Sequence, residues 1–97
     1  MKPLKQTPEL LKLANRVVWF KEPGDALEDP VHFLAYALRY GTAEDLSVLK
    51  NAGIGLEQFC EVLDDAPPGV FDLRSWNFWN LKCGRKVVPP LPVRKFD

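Results

Sequence analysis

Apolar positions along the chain recur at three- and four-residue intervals and nowhere alternate in the two-residue rhythm of a half-buried strand. Thr7-Pro8-Glu9 carries a hydroxyl N-cap, a proline at the first helical position and an acid in the first turn. Leu10, Leu11, Ala14 and Val18 follow on one face. Val17-Val18-Trp19-Phe20 either finishes this helix or forms a short extended piece, and Pro23-Gly24-Asp25 ends it. Asp29-Pro30 repeats the start signal. Val31, Leu34, Ala35 and Leu38 then line one face and Phe33, Ala37 and Tyr40 a second, so this helix is apolar round most of its circumference and predicts the centre of the core. Gly41 is read as its left-handed C-cap.

Thr42 with Asp45 three residues on is a capping-box variant. The helix it opens turns Leu46, Leu49 and Ala52 inward and stops at Gly53, with Ile54 placed to close a Schellman motif. Leu56, Phe59, Cys60 and Leu63 mark a fourth, short helix before Pro67-Pro68-Gly69. Asp72 caps a fifth, Leu73 to Cys83, ending at Gly84. Beyond it, Pro89, Pro90 and Pro92 impose an extended, polyproline-like course. The expected fold is therefore all-α: a bundle of about five short helices over residues 1–84, with an extended proline-rich C-terminal strap over 85–97.

With 97 residues the chain suits one domain, and 46% apolar content with three Trp, six Phe and two Tyr suits an ordered globule. The longest strongly apolar stretch, Val31 to Leu38, is far too short to cross a bilayer, and Met1–Phe20 lacks the continuous apolar run of a secretory signal. These features predict a cytoplasmic protein without membrane contact. In such a compartment Cys60 and Cys83 are read as two buried thiols in preference to a disulfide, which stays possible. The net charge of zero hides a segregation: residues 1–21 balance to +4, residues 22–72 to −9 and residues 73–97 to +5. Basic ends folded along an acidic middle are the plainer account, and a molecule with two poles that steer a charged partner is the sharper one.

Candidate chemistry is sparse. The single histidine, His32, has no ligand-spaced His, Cys or carboxylate beside it and is read as structural or surface. The cysteines form no Cys-x-x-Cys pair, the serines no nucleophile elbow, and the six glycines no phosphate loop. Glu57, Glu61, Asp64 and Asp65 read as a solvated helix face. No catalytic, cofactor or metal residue is assigned, and the chain is expected not to be an enzyme. The nearest approach to a motif is a helix-turn-helix-like hairpin at 42–65, the basis of an alternative reading as a DNA-binding regulator. Its second helix carries four carboxylates and no Lys or Arg, which phosphates would repel. Contact with DNA would then fall to basic C-terminal residues, Arg74, Lys82, Arg85, Lys86, Arg94 and Lys95.

The favoured reading is a protein-interaction module. Trp76 and Trp79 with Leu91 and Val93 of the strap are its expected apolar anchors, and Arg85, Lys86 and Arg94 its charged ones. The strap either docks on its own bundle as a belt, which is slightly preferred, or is presented to a partner as an arm.

Val17-Val18-Trp19-Phe20, the run Phe33 to Leu46 with its Tyr40-Gly41 end and acidic helix start, and Arg74-Ser75-Trp76-Asn77-Phe78-Trp79 with Gly84 resemble a group of small bacterial helical proteins of poorly defined function. Some of those are encoded beside nucleotidyltransferase-like toxins of the AbiEii type. The resemblance spans residues 17–84 and departs from the group at Pro67-Pro68-Gly69 and in the proline-rich tail. It implies a non-enzymatic, antitoxin-like partner protein.

Overall fold

In the computed structural model, residues 1–93 are described, and among them every regular element is helical. Six helices run in chain order: α1 (Pro8–Val17), α2 (Pro23–Glu28), α3 (Pro30–Tyr40), α4 (Ala43–Asn51), α5 (Leu56–Asp64) and α6 (Leu73–Lys82). The local start signals work as their chemistry requires. The side chains of Thr7, Asp29, Thr42 and Asp72 each accept a backbone N–H one turn on, which satisfies donors that a helix leaves unpaired.

The stops divide into two kinds. Gly53 and Gly84 lie at positive φ, 81° and 78°. After α4 the Gly53 N–H reaches the Lys50 carbonyl and the Ile54 N–H the Leu49 carbonyl, so the Schellman closure forms, with Ile54 and Leu49 both buried. The same paired bonds, from Gly84 to Leu81 and from Arg85 to Asn80, end α6. Gly41 differs from expectation. Its φ is −72°, an ordinary extended value, so no left-handed residue ends α3. Glycine is needed there because a Cβ would collide with the Ala37 carbonyl oxygen.

The sixth helix, α2, is the addition to the expected five. Pro23 and Gly24 read as a break, but proline is well tolerated at the first position of a helix, where its missing N–H has no partner to lose. One and a half turns form, and they bury Ala26 and Leu27 against α1 and α3. Asp29 then serves two helices, as the last residue of α2's cap and the N-cap of α3.

Helix α3 is the axis of the bundle. Phe33, Leu34, Ala35 and Ala37 are buried, with α1, α2, α5 and α6 packed around them. Helix α4 leans on α1 alone of the larger contacts. A radius of gyration of 13.0 Å is that of a closely packed chain of this length. None of the described helices is long and apolar enough to cross a membrane.

Candidate functional site

The anchors expected from the sequence do not form a surface. Trp76 is only 2% exposed and Trp79 9%, and both belong to the core. Each indole N–H is satisfied internally: Trp76 Nε1 donates to the Pro89 carbonyl at 2.7 Å and Trp79 Nε1 to the Leu38 carbonyl at 3.0 Å. A buried tryptophan without such a partner would carry a desolvated donor, so these bonds explain why a helix this aromatic turns inward. The first of them also fastens the strap. Val88 and Leu91 pack on the core and the Gly69 N–H reaches the Pro92 carbonyl at 3.4 Å, so through Pro92 the strap is a belt. Val93 is exposed, Lys86 is exposed, and Arg94 lies outside the described residues.

Arg85 is also structural. Its guanidinium donates to Asn80 Oδ1 at 2.8 Å, to the Cys60 carbonyl at 3.2 Å and to Asp64 Oδ1 at 2.6 Å, tying the end of α6 to α5. Asn80 in turn is wholly buried and donates to the Trp76 carbonyl. Beside this clamp Cys60 and Cys83 are joined as a disulfide, not held as two thiols. Packing of α6 on α5 brings their Cα atoms to 5.8 Å, within the range that a disulfide spans without backbone movement. Two cysteines 23 residues apart in sequence carry no sign of that proximity.

The helix-turn-helix-like hairpin at 42–65, the basis of the alternative DNA-binding reading, does not form as a packed pair. Helix α4 packs on α1, whereas α5 packs on α3 and α6, and the two share little contact of their own. The acids of α5 are solvent-exposed, with Asp64 engaged by Arg85. Among the described residues no three His, Cys, Asp or Glu side chains are grouped so as to hold a metal ion. His32 packs against the rings of Phe20 and Tyr36, and its Nδ1 is buried with no hydrogen-bond partner among the described residues. Burial there, and then the charge of Lys21, lower its pKa from the ordinary imidazole value, against the opposing pull of Asp29.

The surface that sequence reasoning missed is aromatic and lies on α3 and the turn that leads to it. Val18–Lys21 is a tight turn closed by the Lys21 N–H on the Val18 carbonyl at 3.3 Å, and its two middle residues, Trp19 and Phe20, point outward. Trp19 is 67% exposed. On α3, His32, Tyr36 and Tyr40 are spaced at four residues and so share one stripe. The rings touch in series: Trp19 to Phe20 at 5.3 Å, Phe20 to Tyr36 at 5.3 Å, His32 to Tyr36 at 4.8 Å, and Tyr36 to Tyr40 at 5.9 Å. The Arg39 guanidinium lies 4.6 Å over the Tyr40 ring and 3.3 Å from the Asp72 carboxylate. The only hint in the sequence was that four-residue spacing. Tyr40 read as part of a buried face because the helix is apolar almost all round, yet its ring is half exposed.

Past Arg39 the ridge opens into a groove of about 500 Å³ between the end of α3, the start of α4 and α6. Leu38, Leu46, Phe78 and Trp79 form its apolar lining and Arg39, Arg74 and Asp72 its charged rim. No protein family, curated protein or solved structure matches the chain. The geometry of this ridge and groove is therefore what a functional reading must rest on.

Proposed function

We propose that the chain is a non-catalytic module that binds another protein through the ridge formed by Trp19, Phe20, Tyr36 and Tyr40. One observation carries this reading: large aromatic rings are spent on one another and on solvent when the same fold buries Trp76, Trp79 and Phe33 completely enough to show that core space for such rings exists. Exposing a large apolar side chain forgoes roughly 1.5–3 kcal/mol of burial, and contiguous exposed patches of this kind mark interaction sites. The composition is that of an energetic centre of an interface, where Trp, Tyr and Arg dominate. A protein partner is also favoured over duplex DNA because α5, the second helix of the alternative DNA-binding reading, carries its carboxylates outward.

An antitoxin-like role is the specific form of this proposal, with a neighbouring nucleotidyltransferase-like toxin as the first partner to co-express. A cytoplasmic location belongs to the same proposal. The Cys60–Cys83 link weighs against it, since a reducing cytosol keeps such thiols unpaired.

The test is recovery of a partner on tagged protein from its native host, wild type beside Trp19→Ala. A ring this exposed contributes little to folding, so the melting temperature should stay within about 2 °C. Partner recovery should fall by the two kcal/mol or more that truncating an interface anchor typically costs (about 30-fold in affinity). Equal recovery on both baits refutes the reading.

A further inference from the structure

The groove beside the ridge has a charge pattern of its own. On α6, Arg74, Phe78 and Lys82 are four residues apart and all three are exposed, so they form a single stripe of cation, ring and cation. Its ends are about 12 Å apart at the rise of an α-helix. The Lys82 ammonium lies 5.6 Å from the centre of the Phe78 ring, and Phe78 meets Trp79 edge-on at 5.1 Å. Arg39 also stands at the rim, paired with Asp72. The one carboxylate among the described lining residues, Asp72, is already committed: it caps α6 through Ser75 and pairs with Arg39. Arg74 has no acidic partner among the described residues. The apolar lining thus lies beside Arg74, which no carboxylate of the described residues pairs, and Lys82 carries the same stripe one turn beyond the groove.

We infer that this groove receives an acidic amphipathic helix of the partner protein, an aliphatic side chain entering over Phe78 while carboxylates one turn to either side meet Arg74 and Lys82. The inference rests on the protein-binding reading and adds the chemistry of the partner. Complementary charge selects the acidic partner and steers its approach, and the apolar floor holds it. A single-stranded nucleic acid would need free ring faces for its bases. Here Arg39 covers one face of Tyr40, and Lys82 and Trp79 crowd Phe78, so the rings are poor platforms for stacking.

Fluorescence anisotropy on the full chain tests this with three labelled probes. They are an amphipathic helical peptide with Glu, Leu and Glu at four-residue spacing, the same peptide with Lys for Glu, and oligothymidine. The acidic peptide should bind at least about tenfold more tightly than its lysine counterpart, and the double variant Arg74→Glu with Lys82→Glu should reverse that order. Both substitutions are on the exposed stripe, and circular dichroism confirms that the variant is folded. Equal affinity for the two peptides, no saturable binding of the acidic one, an unreversed order, or tighter binding of oligothymidine each overturns the proposal. The ridge separates the two readings. If Trp19→Ala abolishes recovery of the natural partner while the acidic peptide never binds, the module reading stands and the groove's assignment falls.

Discussion

Reducing the Cys60–Cys83 bond is the perturbation whose cost can be worked most directly from the structure. The bond closes a loop across 23 residues of sequence separation. In the chain-entropy view, a cross-link removes about 2.1 + 1.5R ln n cal/mol/K from the unfolded ensemble, which for n near 23 is about 11.5 cal/mol/K, or about 3.4 kcal/mol at 25 °C. A 97-residue domain gains about 0.2 kcal/mol/K of unfolding entropy near its midpoint, so the loss corresponds to about 17 °C in melting temperature. Differential scanning calorimetry with and without a phosphine reductant reads this, and thiol titration of the unreduced protein gives the starting state. The double variant Cys60→Ser with Cys83→Ser should melt close to the reduced wild type, because the Arg85 clamp to Asn80, Asp64 and the Cys60 carbonyl persists without the bond. Two titratable thiols in the unreduced protein, or a reductant shift under about 3 °C, would show the reasoning to be wrong.

Asp45 is buried on α4, where it accepts from the Thr42 N–H at 2.7 Å and pairs through both oxygens with Arg16 of α1. The Arg16 hydrogen bonds, more than the opposing desolvation, hold its pKa below the ordinary carboxylate value. Its contribution is therefore complete above the ordinary aspartate pKa and is lost as pH falls through the lower folded value. Arg16→Gln should shift the acid-unfolding midpoint upward, and an unmoved midpoint would dismiss the pair as a source of stability. Asp45→Ala at neutral pH removes a cap and the partner of a charged group together and should cost about 2–3 kcal/mol in urea titration. Trp79→Ala should cost about 3–5 kcal/mol, in contrast to Trp19→Ala, and similar urea midpoints for the two variants would contradict the assigned burial. His32, whose neutral form burial and then Lys21 favour, supports the fold fully above the ordinary imidazole pKa and loses that support as pH falls through its lowered folded value. His32→Phe should flatten melting temperature against pH from 7 to 5, and an unchanged slope would assign the dependence to another group.

What the sequence by itself determined was local. Helix starts at Thr7, Asp29, Thr42 and Asp72, the stops at Gly53 and Gly84, and the central place of α3 were all legible, because a cap or a positive φ is settled by a few adjacent residues. So was the all-helical class, which periodicity alone conveys. Tertiary structure decided what depends on neighbours distant in the chain. Trp76 and Trp79 went inward because the Pro89 and Leu38 carbonyls stand ready to take their N–H groups, and those acceptors are 13 and 41 residues away. The disulfide exists because α5 and α6 share a seam, and α2 because α1 and α3 leave a place for Ala26 and Leu27. Tyr40 stayed outside for the converse reason. A helix apolar on nearly every side still has only as many buried faces as it has neighbours, and the packing of α1, α2, α5 and α6 around α3 left His32 and Tyr36 half-buried and Tyr40 exposed.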